Sequence, residues 1–317
     1  MSAFEFRADE SVRHAVHRIA RHEIDAMLAE LRAGPRGRTA VHDARRSSKK
    51  LRALARLVRD EIGEKSYRLV NTTLRDAVRP LAAVRDGEAL VHTLDVLAEH
   101  FAGEIRPRAF DRLRKTLQAR LRAARAAPGT RAAMRHAAAL VARVGSRLAQ
   151  LPVGREGWRA LESGVRRIYT RARAASRRAD DDPSVERLHE WRKRSKDLRY
   201  VLELLEPIWP PVMKPFVDEA HELTDRLGDD HDLSQLERLV RLEPASCGAS
   251  EDCAALLGLI EVRRNELQAD ARRLGARLYR EKPRAFPARL GGYWRAWEAV
   301  TAGVAAELPG RAASGSV

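Results

Sequence analysis

Only two cysteines occur in this chain of 317 residues, Cys247 and Cys253, both in a connection containing Gly, Ser and Pro. That excludes a disulfide framework and gives a zinc site no support, so two free thiols in a reducing compartment are expected. Aromatic residues make up 5% of the chain, which leaves few platforms on which single-stranded bases could stack. No run approaches the roughly 18 apolar residues of a membrane-spanning helix, so no membrane association is expected. The segment from Met1 to Glu10 lacks the basic start and apolar stretch of a signal peptide, and the expectation is a soluble, cytoplasmic protein. There is also no Gly-rich phosphate loop, no nucleophile–base constellation and no cluster of acids to hold catalytic magnesium. The chain therefore reads as a binding protein that needs no cofactor, not as an enzyme.

What it has in excess is positive charge. Sixty Lys and Arg stand against 44 Asp and Glu, a net charge of +16 with a pI near 10.7. That balance implies an acidic partner such as nucleic acid, a phosphate polymer or an anionic surface, without choosing among them. Ala, Leu, Arg and Glu dominate with helical periodicity, and the alternating β-branched runs of strands are missing, which predicts an all-α protein.

One motif occurs twice. Residues 42–52, His-Asp-Ala-Arg-Arg-Ser-Ser-Lys-Lys-Leu-Arg, return 147 positions later as residues 189–199, His-Glu-Trp-Arg-Lys-Arg-Ser-Lys-Asp-Leu-Arg. Such self-similarity predicts an internal duplication. Wound on a helix at about 100° per residue, His42, Arg45, Arg46, Lys49 and Arg52 fall within roughly 120° of arc, with Ala44, Leu51, Leu54, Ala55 and Val58 opposite. The second copy splits alike, with His189, Arg192, Lys193, Lys196 and Arg199 against Trp191, Leu198, Val201, Leu202 and Leu205. Trp191 thus belongs to the core face.

A solvated helix face usually interleaves acids with bases, because like charges four apart cost roughly 0.2–0.5 kcal/mol per pair. Between Arg45 and Arg59 there are seven bases and no acid. Of the eight lysines in this Arg-dominated chain, four (Lys49, Lys50, Lys193, Lys196) lie in the two short motifs, so general composition does not explain them. Ridges of uncompensated charge make sense if a polyanion neutralises them, Arg as a bidentate fork and Lys as a mobile point charge.

Periodicity predicts helices near 9–33, 39–62, 65–82, 87–102, 108–126 and 130–150, a break at Pro152 to Gly157, then helices near 158–179, 184–205, 211–227, 230–242, 251–279 and 293–307. The break predicts two halves, 1–152 and 158–308, followed by a polar tail, 309–317. Asp182-Pro183 reads as the N-cap and first residue of the second motif helix. A second repeated element, Leu81-Ala-Ala-Val-Arg85-Asp86 and Leu227-Gly-Asp-Asp-His231-Asp232, falls where one helix should end and another begin, so Asp86 and Asp232 read as N-caps. His42 and His189 have no carboxylate or His neighbour at a dedicated ligand spacing, and His14 and His17, three apart with His22 nearby, are suggestive but more often incidental, so no metal site is expected.

These paired motif helices and Leu-x-x-x-[Arg/His]-Asp elements resemble the CHAD family, the conserved histidine α-helical domain, as does the Tyr- and Arg-rich stretch Val165 to Arg173. The resemblance covers nearly the whole chain and implies two pseudo-symmetric antiparallel helical bundles whose basic residues line a shared surface or channel that binds inorganic polyphosphate, with targeting to polyphosphate granules. The contacts it implies are His42, Arg45, Arg46, Lys49 and Arg52 from one half and His189, Arg192, Lys193, Lys196 and Arg199 from the other, with Arg167, Arg171 and Arg173 as additions. The chain departs from the pattern at Ala82, where Gly is usual, and at His231, where Arg is commoner. The Glu-x-Glu-x-Lys signature of the triphosphate-tunnel hydrolases sometimes fused to such domains is absent. The alternative is a general polyanion binder with weak nucleic-acid association, although no helix-turn-helix or zinc-finger pattern is present.

Overall fold

Apolar stripes at helical spacing produce an all-helical chain. The computed structural model describes residues 3–34, 39–104, 110–148, 150–247 and 249–306, with side chains to residue 301, and no strand occurs among them. Eleven α-helices follow in order among these residues: α1 (Val12–Ala33), α2 (Ala40–Leu57), α3 (Arg59–Val78), α4 (Ala82–His100), α5 (Asp111–Ala126), α6 (Pro128–Leu148), α7 (Trp158–Asp181), α8 (Val185–Leu205), α9 (Pro210–Leu242), α10 (Ser250–Leu278) and α11 (Ala285–Ala306). None is long and apolar enough to cross a membrane. The polar tail expected from residue 309 lies outside the described residues.

Two apolar cores form. The larger joins α1, α2, α3, α6, α7, α8 and α11 with the first half of α9 and the last turns of α10. The smaller sits between α4 and α5 and the opposite ends of α9 and α10. Both draw on residues from either side of the Pro152–Gly157 connection. Trp191 is fully buried in the larger core, against Gly275, where an added Cβ would meet its ring at 2.7 Å. α2 and α7 touch most closely at Gly164, whose Cβ would stand 1.8 Å from the Leu57 carbonyl oxygen, so only glycine permits that crossing. His17 is tied to the chain connection, its Nε2 donating to the Leu151 carbonyl at 3.0 Å.

Four local expectations are overturned, two of them by a tertiary partner or a better cap. α9 runs unbroken through residues 228–230, where a turn was expected. Aspartates favour turns by competing for nearby backbone amides. Here Asp230 is buried and accepts instead from Arg264 Nε at 3.0 Å and Gln268 Nε2 at 2.8 Å on α10. Asp232 therefore lies inside a helix, and Asp86 is the fifth residue of α4, so neither is an N-cap. Asp182 instead closes α7, its amide donating to the Arg178 carbonyl, while Ser184 caps α8 by accepting from the Arg187 amide. α11 begins at Ala285, eight residues before the expected start. The break expected between 62 and 65 falls at Gly63, which kinks α3 with a φ of 77°.

Candidate functional site

The two motif helices pack against each other with their basic ridges turned inward. Their orientation is set from behind by the paired serines of the repeat. Ser48 is buried and donates to the Leu74 carbonyl at 3.0 Å, and Ser195 is buried and hydrogen-bonds the Tyr279 hydroxyl at 2.9 Å. With Leu51 and Leu198 also buried, each helix can present only its opposite face to the other.

Lys49 and Lys196 stand at the centre. Neither has a hydrogen-bond or ion-pair partner among the described residues. Burial pushes the Lys49 ammonium down to about 7, and Arg192, Arg45, Arg85 and Arg199 push it the same way. Lys196 is pushed down to about 6 by burial, then by Arg192, Lys49 and Arg199, with only Asp225 opposing. Desolvation and like charge act together here. They line a cavity of about 150 Å³ with Arg52, Arg192 and Lys193, joined by Arg56, Arg194, Asp197 and Tyr200.

The surrounding cations are held by neutral or shared partners. Arg45 donates to the Val78 carbonyl at 3.1 Å, and Arg52 to Asn71 Oδ1 at 2.9 Å. Burial lowers both guanidinium pKa values from the ordinary arginine value. Arg199 pairs with Glu203 at 3.1 Å and lies over the Tyr200 ring. Arg192 is lowered by burial against the pull of Asp232, and its Nε is buried without a partner. At the rim, Arg46 pairs with Asp43 at 3.1 Å and Lys193 with Glu190 at 2.7 Å. His42 is exposed and lowered by burial of its ring and by Arg85. His189 is lowered by burial and by Arg192, its ring 4.5 Å from that of His231, which is pushed down to about 4.

The ten motif residues thus gather in one region, and the α7 arginines do not join it. Arg167 binds Asp60 at 2.7 Å and the Arg56 carbonyl at 3.0 Å, Arg173 donates to the Tyr279 carbonyl at 2.9 Å, and Arg171 is exposed. Four residues not picked from the sequence do join it. Arg85 reaches in from α4 and pairs with Asp232 at 3.5 Å, while His231 comes from α9. These two occupy equivalent positions of the second repeated element, so the repeat marked them, although its aspartates were read as caps. Arg56 and Arg194 converge on Asp197, at 2.6 and 3.3 Å.

What this arrangement can do is take up negative charge: dense cations around a cavity, several with unused donors, suit an anion that presents many phosphate-like oxygens. Among the described residues no three His, Cys, Asp or Glu side chains group to hold a metal.

Comparison with known proteins agrees with this geometry in fold and motif. The family model described as the CHAD domain matches residues 13–241. Two uncharacterized proteins of Mycobacterium tuberculosis strains are each 32% identical over 195 residues, which covers 58% of this chain and 38% of theirs. The crystal structure of the CHAD domain from the plant Ricinus communis superposes with a TM-score of 0.65 at 18% identity, covering 89% of this chain and 96% of that one.

Proposed function

This chain belongs to the CHAD domain family, and from that premise we propose that it binds inorganic polyphosphate in the cleft between α2 and α8, without catalysis. The observation that carries the proposal is the pair Lys49 and Lys196, half-buried among arginines with no acid of their own. A polyanion threading between them would restore both ammonium charges and convert mutual repulsion into attraction. Arg45, Arg52, Arg192 and Arg199 would hold successive phosphates, and the buried Nε of Arg192 and Nδ1 of His189 would gain partners.

We read the two motifs as the inward faces of two pseudo-symmetric halves, 1–152 and 158–308, made by duplication. The equivalent placement of Ser48 with Ser195 and of Arg85 with His231 supports that reading. A soluble, cytoplasmic location at polyphosphate granules goes with it. Nucleic acid is the weaker partner, because Trp191 and Tyr200 are buried and cannot stack on bases.

The test is a titration with long-chain polyphosphate at about 150 mM salt, with single-stranded DNA competing at equal charge. Lys49→Glu with Lys196→Glu should abolish binding, while the charge-matched pair Arg159→Glu with Arg280→Glu on the exposed surface should change it little. Equal losses would defeat the assignment of the site. DNA competing as well as polyphosphate would make this a general polyanion binder.

A further inference from the structure

From Arg112 to Arg155 the chain carries eleven Lys and Arg and not one Asp or Glu. This stretch forms α5 and α6, far along the chain from both motifs. Among the described residues its acid partners lie outside the stretch: Asp95 and Asp111 for Arg114, Glu243 for Arg120, Glu88 for Arg125 and Glu61 for Arg155. Around the turn between the two helices, Arg122, Arg125, Arg131 and Arg135 line a cleft of about 630 Å³. Arg131 and Arg135 also line an adjoining cleft of about 430 Å³ with Arg32 of α1. Arg32, Arg122, Arg131 and Arg135 are exposed and have no acid partner among the described residues. Five guanidinium groups around two joined clefts, one of them neutralised, form a concentrated positive field open to solvent.

The position of this cluster relative to the central cavity matters. α4 links them. Arg85 near its start acts on Lys49, and Glu88, one turn further on, accepts from Arg125 Nη2 at 2.7 Å. At Gly87 the two helices are so close that a Cβ would sit 3.3 Å from the Leu121 side chain. The two basic regions are thus linked through residues one turn apart on the same face of α4, so a flexible polymer leaving one can reach the other.

We infer that the α5–α6 turn is a second anchoring station for the same phosphate polymer, engaged by the length of chain that leaves the central cleft. The inference rests on the polyphosphate reading and adds selection for chain length. A ligand held at both stations gains from effective concentration, so losing the outer one should cost long chains and spare short ones. An exposed arginine cluster could also meet RNA or an anionic membrane. The joined clefts beside the central site favour a chain already bound there.

The experiment compares long-chain polyphosphate with tripolyphosphate on the full chain. Arg122→Gln, Arg131→Gln and Arg135→Gln together break no ion pair of the described structure, and tripolyphosphate affinity reports whether the central site is intact. Long-chain affinity should fall at least about tenfold with tripolyphosphate binding unchanged. Unchanged long-chain affinity, equal loss for both ligands, or a loss confined to RNA or anionic vesicles would overturn the second station. Failure of Lys49→Met with Lys196→Met to weaken tripolyphosphate would instead sink the central reading, so the two ideas fail separately.

Discussion

Replacing Lys49 and Lys196 together by Met should make the ligand-free protein more stable while destroying its binding. Each ammonium falls from the usual 10.5, to about 7 and to about 6. The folded value lies below the unfolded one, so between the two the unfolded chain binds more protons and stability rises with pH. At pH 7 this opposes folding by about 4 kcal/mol for each lysine. The two groups repel each other, so their joint removal recovers less than the sum, and about 3 kcal/mol is a conservative expectation. Met keeps the length and bulk of the lysine stem without its charge. For a chain of 317 residues that gain corresponds to a rise in Tm of roughly 4–5 °C.

Thermal and urea unfolding at pH 6, 8 and 10 provide the assay. The wild type should gain stability steadily across that range, and the Met variant should lose most of this slope. A variant less stable than the wild type at pH 7, or one with the same pH profile, would refute the claim that these lysines are buried against their own charge.

Four further outcomes follow from the same structure. Polyphosphate binding at pH 8 should take up roughly one to two protons per molecule, read by calorimetry in two buffers of different ionisation enthalpy, and affinity should rise as pH falls from 8 to 6. Lys49→Arg with Lys196→Arg should keep binding but lower the stability of the ligand-free protein, measured by urea unfolding, because arginine cannot shed its proton. Gly164→Ala should destabilise by more than about 3 kcal/mol or prevent folding, since its Cβ would overlap the Leu57 carbonyl, and a soluble variant of wild-type stability would contradict the close helix crossing. Arg56→Leu should cost roughly 1–3 kcal/mol, the loss limited because Asp197 keeps its bond to Arg194, and a double-mutant cycle with Asp197→Leu should show a favourable coupling between the two.

Helix existence and the basic ridges were legible because both depend on local periodicity. Arg45, Lys49, Arg192, Lys196 and Arg199 share a face by spacing alone, and a face of that kind can be placed before any packing is known. The turn elements were not legible in the same way. Leu227-Gly-Asp-Asp has the composition of a turn, and only Arg264 and Gln268, more than thirty residues away, draw Asp230 into a helix. Arg167 and Arg173 illustrate the same limit from the other side, since their bonds to Asp60 and to the Tyr279 carbonyl depend on which helices become neighbours.

The choice of lysine over arginine at the centre of the cleft has a physical reason. In a chain whose bases are overwhelmingly Arg, the two residues at the centre of the cationic cleft are Lys. A guanidinium there would stay charged at every accessible pH, and the ligand-free cleft would carry the full repulsion. An ammonium at about 7 or about 6 can release its proton when the cleft is empty and would regain it if the proposed polyanion bound. Lysine at these two positions lets one site be tolerably neutral when free and strongly cationic when bound. The arginines around it, held by Val78, Asn71 and Glu203, supply the fixed charge that would favour such an exchange with a polyanion.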